Sequence, residues 1–91
     1  MKVIGDTAYF KSVPYQFYQE ESGYTPNTIR ILTKQEFLKC KADVVKITIC
    51  NTETAESFTR DLLPIKDVTK FMEPILKDDF EGKVCIFSWR A

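Results

Sequence analysis

Apolar and polar side chains alternate along residues 43–51, with Val45, Ile47 and Ile49 on one face and Lys46, Thr48 and Cys50 on the other. A period of two is the signature of a half-buried strand. Asn51-Thr52-Glu53-Thr54-Ala55 is polar and turn-forming, and residues 56–65 then read as a partner strand whose alternation begins with Phe58 and Leu62. A hairpin is the simplest connection. Pro64 has no amide hydrogen for an interior ladder, which puts that end of the strand at an edge or outside the sheet. Residues 83–90 are apolar on both faces, the pattern of a central or barrel-forming strand. Residues 1–10, where Val3-Ile4 and Ala8-Tyr9-Phe10 flank Gly5-Asp6, read as short strand or irregular chain.

Between these strands the period changes. In Ser12-Val13-Pro14 the serine is suited to cap a helix and the proline to sit in its first turn, predicting a helix from Pro14 to Glu21. Phe10, Val13 and Phe17, three or four apart, form its inward face, with Gln16, Gln19 and Glu20 outside and Tyr15 and Tyr18 as partly buried packing. Gly23 ends this helix in a left-handed cap, and Pro26 prevents its resumption. Thr33-Lys34-Gln35-Glu36 has capping-box form and starts a second helix to about Lys41, anchored by Phe37 and Leu38. Lys34, Lys39 and Lys41 read as a solvated face ahead of a phosphate site. Residues 67–76 space their apolar side chains helically, but Pro74 limits them to one or two turns before Asp78-Asp79-Phe80-Glu81-Gly82 turns the chain.

Composition narrows what such a chain can be. Its 91 residues, 44% hydrophobic and 29% charged, suit one domain over residues 1–91 with one core. Thirteen basic residues balance thirteen acidic ones, so any polyanion site is a local patch. No apolar run approaches the roughly 20 residues of a membrane span, and Gly5-Asp6 interrupts the start of the chain too early for a signal peptide. These features predict a cytoplasmic protein with no membrane partner. Cys40, Cys50 and Cys85 are odd in number and widely spaced, against both a disulfide framework and a zinc site. Histidine is absent, which removes the commonest metal ligand and the Ser-His and Cys-His nucleophile pairs. No metal and no cofactor are expected.

Candidate chemistry concentrates in Gly23-Tyr24-Thr25-Pro26-Asn27-Thr28-Ile29-Arg30. Arg30 can make a two-pronged contact with phosphate or a guanine edge, while Asn27 and Thr28 add amide and hydroxyl hydrogen bonds. A purely structural reading stands beside this one, with Asn27 and Thr28 satisfying turn backbone and Arg30 paired with Glu56 or another carboxylate. Arg60 and Arg90 extend a positive rim if they face the same side. Tyr24 and Trp89 are candidates for stacking on bases of single-stranded RNA.

The order of elements, helix, glycine turn ending in Thr-x-Arg, long hairpin, short helix and final strand, resembles the ASCH domains of the PUA-like superfamily. The residues that carry the resemblance are Phe17-Tyr18-Gln19-Glu20-Glu21-Ser22-Gly23-Tyr24-Thr25-Pro26-Asn27-Thr28-Ile29-Arg30, Glu56-Ser57-Phe58-Thr59-Arg60 with Leu63-Pro64-Ile65, and the strand of residues 84–89. The chain is most similar to compact ASCH-like proteins of bacteriophages and prophages. The resemblance implies an α+β fold, a small PUA-like β-barrel or strongly curved mixed sheet with two or three short helices. It implies binding of RNA or a nucleotide beside the glycine turn, through Tyr24, Asn27, Thr28, Arg30, Arg60 and Trp89. One branch of the superfamily hydrolyses acetylated cytidine, with a lysine three residues before its threonine. Here that position is Thr25, so the hydrolytic alternative, with Thr28 and Glu56, lacks its positive charge and potential base. A third alternative is a phage accessory protein acting through protein contacts.

Overall fold

The computed structural model describes residues 1–91. The first ten residues are ordered: β1 (Lys2–Ile4) and β2 (Thr7–Ser12) form an antiparallel hairpin around Gly5-Asp6. Gly5 takes φ 58° at the first turn position, a conformation that costs glycine little. β2 also pairs in parallel with β4 (Lys46–Asn51), which is antiparallel to β5 (Ser57–Asp61), so the first sheet runs β1-β2-β4-β5. The predicted hairpin is thus the β4–β5 pair. Ile47 and Ile49 are fully buried, but Val45, expected on the same face, precedes the strand and is exposed, and Thr48 on the other face is itself buried, sharing a hydrogen bond of 2.7 Å with Thr59 across the ladder.

The second sheet runs β3-β7-β6, from β3 (Asn27–Leu32), β7 (Lys83–Ser88) and the short β6 (Lys66–Asp67), all antiparallel. The closing strand is central, as its apolar faces predicted. Between β5 and β6 the chain crosses from one sheet to the other: Leu62 bridges Trp89 and the Leu63 amide donates to the Ser88 carbonyl at 2.8 Å. Pro64 sits just after this crossing, where the strand has left the first sheet and needs no ladder donor. At the other side no strand pairing joins β1 or β2 to β3, so the two sheets do not close into a barrel. Aromatic side chains fill the space between them. Phe10 meets Phe87 edge-on at 5.0 Å, and Phe58 meets Trp89 at 5.9 Å. Such pairs add roughly 0.5–1.5 kcal/mol each beyond their buried area.

Helix α1 spans Pro14–Glu21 with Pro14 in its first turn, as predicted, but Ser12 does not cap it. Val13 occupies the N-cap position without a side-chain bond, is exposed, and takes no part in the inward face. Phe17 is the helix's apolar anchor, 5.4 Å from the Phe58 ring, and Phe10 reaches the same core from β2. Tyr15 and Tyr18 are exposed rather than packed, because an eight-residue helix on a sheet buries a single narrow stripe. Gly23 has φ 82°, and the Gly23 and Thr25 amides turn back onto the carbonyls of Glu20 and Gln19. Helix α2 (Lys34–Asp43) begins with the full capping box of Thr33 and Glu36. Its buried anchor is Cys40, with Phe37 packed against the core, while Leu38 is exposed. The three lysines of α2 all face solvent, Lys39 in an ion pair with Asp43 at 2.7 Å. Helix α3 (Thr69–Met72) lasts one turn before the 3-10 segment Glu73–Ile75, where Pro74 forbids more.

Candidate functional site

β3 is an edge strand whose side chains alternate between the core and solvent. Thr28, Arg30 and Leu32 point inward, whereas Ile29 and Ile31 are exposed on the outer face. Inward-facing Arg30 does not enter the apolar core. It crosses to the free edge of β2, beyond the point where β1 ends at Lys2 opposite Tyr9. There its Nη1 donates to the Lys11 carbonyl at 2.9 Å and its Nη2 to the Ser12 hydroxyl at 2.8 Å, while Nε donates to Thr28 Oγ1 at 2.9 Å. Its guanidinium also lies 4.9 Å from the centre of the Phe10 ring, a cation–π contact.

Ser12 explains why α1 has no serine cap. Its hydroxyl accepts from Arg30 and donates to Glu20 Oε1 at 2.8 Å, linking a guanidinium to a carboxylate through one oxygen. Glu20, expected outside the helix, is only 1% exposed. Its second oxygen accepts from Gln16 Nε2 at 3.1 Å, so both carboxylate oxygens are satisfied and burial becomes tolerable. Gln16 also reaches Thr28 Oγ1 at 3.4 Å, closing the ring of contacts Gln16, Glu20, Ser12, Arg30 and Thr28. Burial lowers the Arg30 pKa from its ordinary value, and the charge of Glu20 opposes that shift. The group nevertheless stays protonated at neutral pH.

Two open grooves flank this ring. Beside the glycine turn, a groove of about 430 Å³ is lined by Tyr15, Gln16, Gln19, Glu20, Thr25, Asn27 and Ile29. Its polar lining consists of side-chain amides and hydroxyls with Glu20 as the one charge. Under the β1–β2 hairpin, a groove of about 580 Å³ includes Arg30 in its lining.

The sequence candidates fall into three groups. Asn27, Thr28 and Arg30 are neighbours on β3, but only Thr28, 2% exposed, and Arg30 are hydrogen-bonded, while Asn27 takes the opposite face with Ile29 and is half-buried in the groove wall. Tyr24 is 83% exposed at the turn, free to present its ring. Arg60, Glu56 and Trp89 lie elsewhere. Arg60 donates to the Glu21 carbonyl and stacks 4.8 Å over Phe58, sharing a groove with Arg90 and Asp61 at the crossing between the sheets. Glu56 accepts from the Tyr18 hydroxyl at 3.1 Å and from Thr54, so neither Thr28 nor Arg30 is its partner. Tyr18 lies about half a turn around α1 from Gln16 at 3.6 residues per turn, so Glu56 meets the opposite flank of the helix. Trp89 is 2% exposed and packed on Phe58, which withdraws it from base stacking. Arg30 is in neither of the two ion pairs, Lys39–Asp43 and Lys83–Asp67.

Ser12, Gln16 and Glu20 were not legible as site residues. The one local sign is the i, i+4 spacing of Gln16 and Glu20, which puts them on the same helix face. No three Cys, Asp or Glu side chains are grouped to hold a metal, and no helix is long and apolar enough to cross a membrane. The ring and grooves place hydrogen-bond donors, acceptors and cations at an open surface. Thr28 accepts hydrogen bonds from Arg30 and Gln16, and no carboxylate or amine hydrogen-bonds its oxygen to withdraw a proton. No family model matches the chain, no curated protein is similar to it, and no solved structure matches its fold.

Proposed function

We propose that this chain is a small RNA- or nucleotide-binding module of the ASCH and PUA-like kind, working in the cytoplasm of a phage- or prophage-bearing cell. The observation that carries this reading is the groove beside the glycine turn, where Gln16, Gln19, Asn27 and Thr25 offer uncharged donors and acceptors. Amides and hydroxyls of this kind match the edges of an unstacked base, and the exposed rings of Tyr15 and Tyr24 supply stacking surfaces. The fixed Arg30 behind this wall keeps Thr28 and Gln16 oriented. Three unpaired cysteines suit a reducing compartment.

Hydrolysis of acetylated cytidine has less support, because the Thr28 hydroxyl is buried and Glu56 is bonded to Tyr18 and Thr54. The test is fluorescence anisotropy with short unstructured RNAs over a salt series. Binding at low salt that weakens as salt rises, and weakens roughly tenfold or more in Asn27→Ala, is the expected result. No binding at low salt ends the reading, and binding indifferent to Asn27→Ala removes this groove from it.

A further inference from the structure

The second groove has no carboxylate in its lining. Met1, Lys2, Tyr9, Phe10, Lys11, Arg30 and Cys50 surround about 580 Å³, and three of these side chains are cations. The register accounts for the two lysines. Lys2 stands opposite Tyr9 in the β1–β2 ladder, so Lys2, Tyr9 and Lys11 share one face of the hairpin. Lys11 is then the diagonal neighbour of Lys2, roughly 7–8 Å away between backbones, within reach of two long side chains. Neither lysine makes an ion pair. Like charges this close repel, and an anion between them turns that repulsion into attraction.

Arg30 adds direction to the charge. Of its five N–H groups, three are spent on Thr28, Lys11 and Ser12, which leaves one on each terminal nitrogen without a protein partner. Those three bonds and the Phe10 ring hold the guanidinium still, so little side-chain entropy remains to be lost on binding. The nearest opposite charge identified, Glu20, is reached only through the Ser12 hydroxyl and lines the other groove.

We propose that the groove under the β1–β2 hairpin is a phosphate site, in which Lys2, Lys11 and Arg30 receive a phosphate group, free or carried by a nucleotide. A dianionic phosphate group has the oxygens to meet a guanidinium and two ammonium groups together. The carrier being a nucleotide rests on the functional reading above, with base and phosphate on the two sides of the Arg30 ring. The phosphate site itself does not.

Cys50 provides the measurement. It is half-buried in this groove, whereas Cys40 and Cys85 are enclosed, with burial pushing their thiols up to about 11. Alkylation by iodoacetamide, a neutral reagent, therefore reports on Cys50. At constant ionic strength, pyrophosphate and a nucleoside 5′-monophosphate are expected to slow the reaction saturably, while the unphosphorylated nucleoside does not. Lys2→Gln with Lys11→Gln should weaken this protection roughly tenfold or more. Both lysines are exposed, so the double variant is expected to fold, and Lys70→Gln with Lys77→Gln, two exposed lysines outside the groove, serves as the charge-matched control. The absence of protection at about 10 mM of either phosphate compound, above the millimolar range of a weak specific site, overturns the proposal. So does equal protection in the double variant. Protection by pyrophosphate with no RNA bound keeps the phosphate site and removes the nucleotide. RNA bound through Asn27 without phosphate protection does the reverse.

Discussion

The two sheets meet twice, by different means. On one side the backbone makes the joint: Leu62 bridges Trp89, the Leu63 amide donates to the Ser88 carbonyl, and β6 continues along β7. Trp89 and Phe58 support it with packed rings. On the other side, between β2 and β3, side chains hold the joint, with Arg30 bonded to the Lys11 carbonyl and the Ser12 hydroxyl. A backbone joint tolerates many side chains provided they are apolar and fit. The Arg30 joint depends on one residue's shape and charge, and because no strand fills it, grooves remain on both flanks. Both proposed binding surfaces lie at this open joint.

The largest effect should come from breaking the backbone joint's apolar support. Trp89→Ala is expected to lower unfolding free energy by about 3–5 kcal/mol, read by urea denaturation with far-UV circular dichroism. Trp89→Phe should cost less, since it keeps a ring against Phe58 and removes an indole N–H that is buried without a partner. A loss below about 1 kcal/mol in the alanine variant contradicts the assigned role of this joint. Next in size is Arg30→Ala, expected to cost about 1–3 kcal/mol through its three hydrogen bonds. Arg30→Lys should not restore it, because an ammonium lacks the planar fork that reaches Thr28, Lys11 and Ser12 together. Full stability in the lysine variant means that charge alone holds the joint.

The smallest effect concerns Asp67, on β6 beyond the backbone joint. The Thr69 hydroxyl and amide, and then Lys83, hold its carboxyl below the ordinary value of 3.8. A lowered folded pKa contributes stability that is present above the unfolded value and lost as pH falls through the folded one. Asp67→Asn should therefore make acid destabilisation below about pH 4 shallower and cost under about 1 kcal/mol at neutral pH, as the group is largely exposed. An unchanged acid limb dissociates Asp67 from it.

Much of this architecture was legible locally. The proline that opens α1, the capping box of α2 and the left-handed Gly23 each depend on residues within a few positions of one another. Their geometry repeats what short-range sterics and hydrogen bonding dictate. The site was legible only in part. Thr28 and Arg30 lie two apart on one strand and share a face, so naming one named the other, whereas Asn27 takes the opposite face. Glu56 and Arg60 were grouped with them, yet both contact the far flank of α1, an arrangement set by how the helix lies across the sheet.

By itself, then, the sequence determined most of the elements and the absence of histidine chemistry, but neither the end of β5 at Asp61 nor the short β6. Tertiary structure decided what each polar residue is for. Glu20 reads as a surface glutamate until Ser12 and Gln16 arrive to satisfy its oxygens, and only their approach makes its burial tolerable. Trp89 reads as a ring of uncertain exposure until β5 crosses to β7 and covers it. Lys2 and Lys11 are nine residues apart, and it is the hairpin register that sets them side by side, in the lining of one groove with Arg30 from a different sheet. Periodicity is a short-range property of the chain, whereas charge compensation belongs to whichever side chains the fold brings within reach.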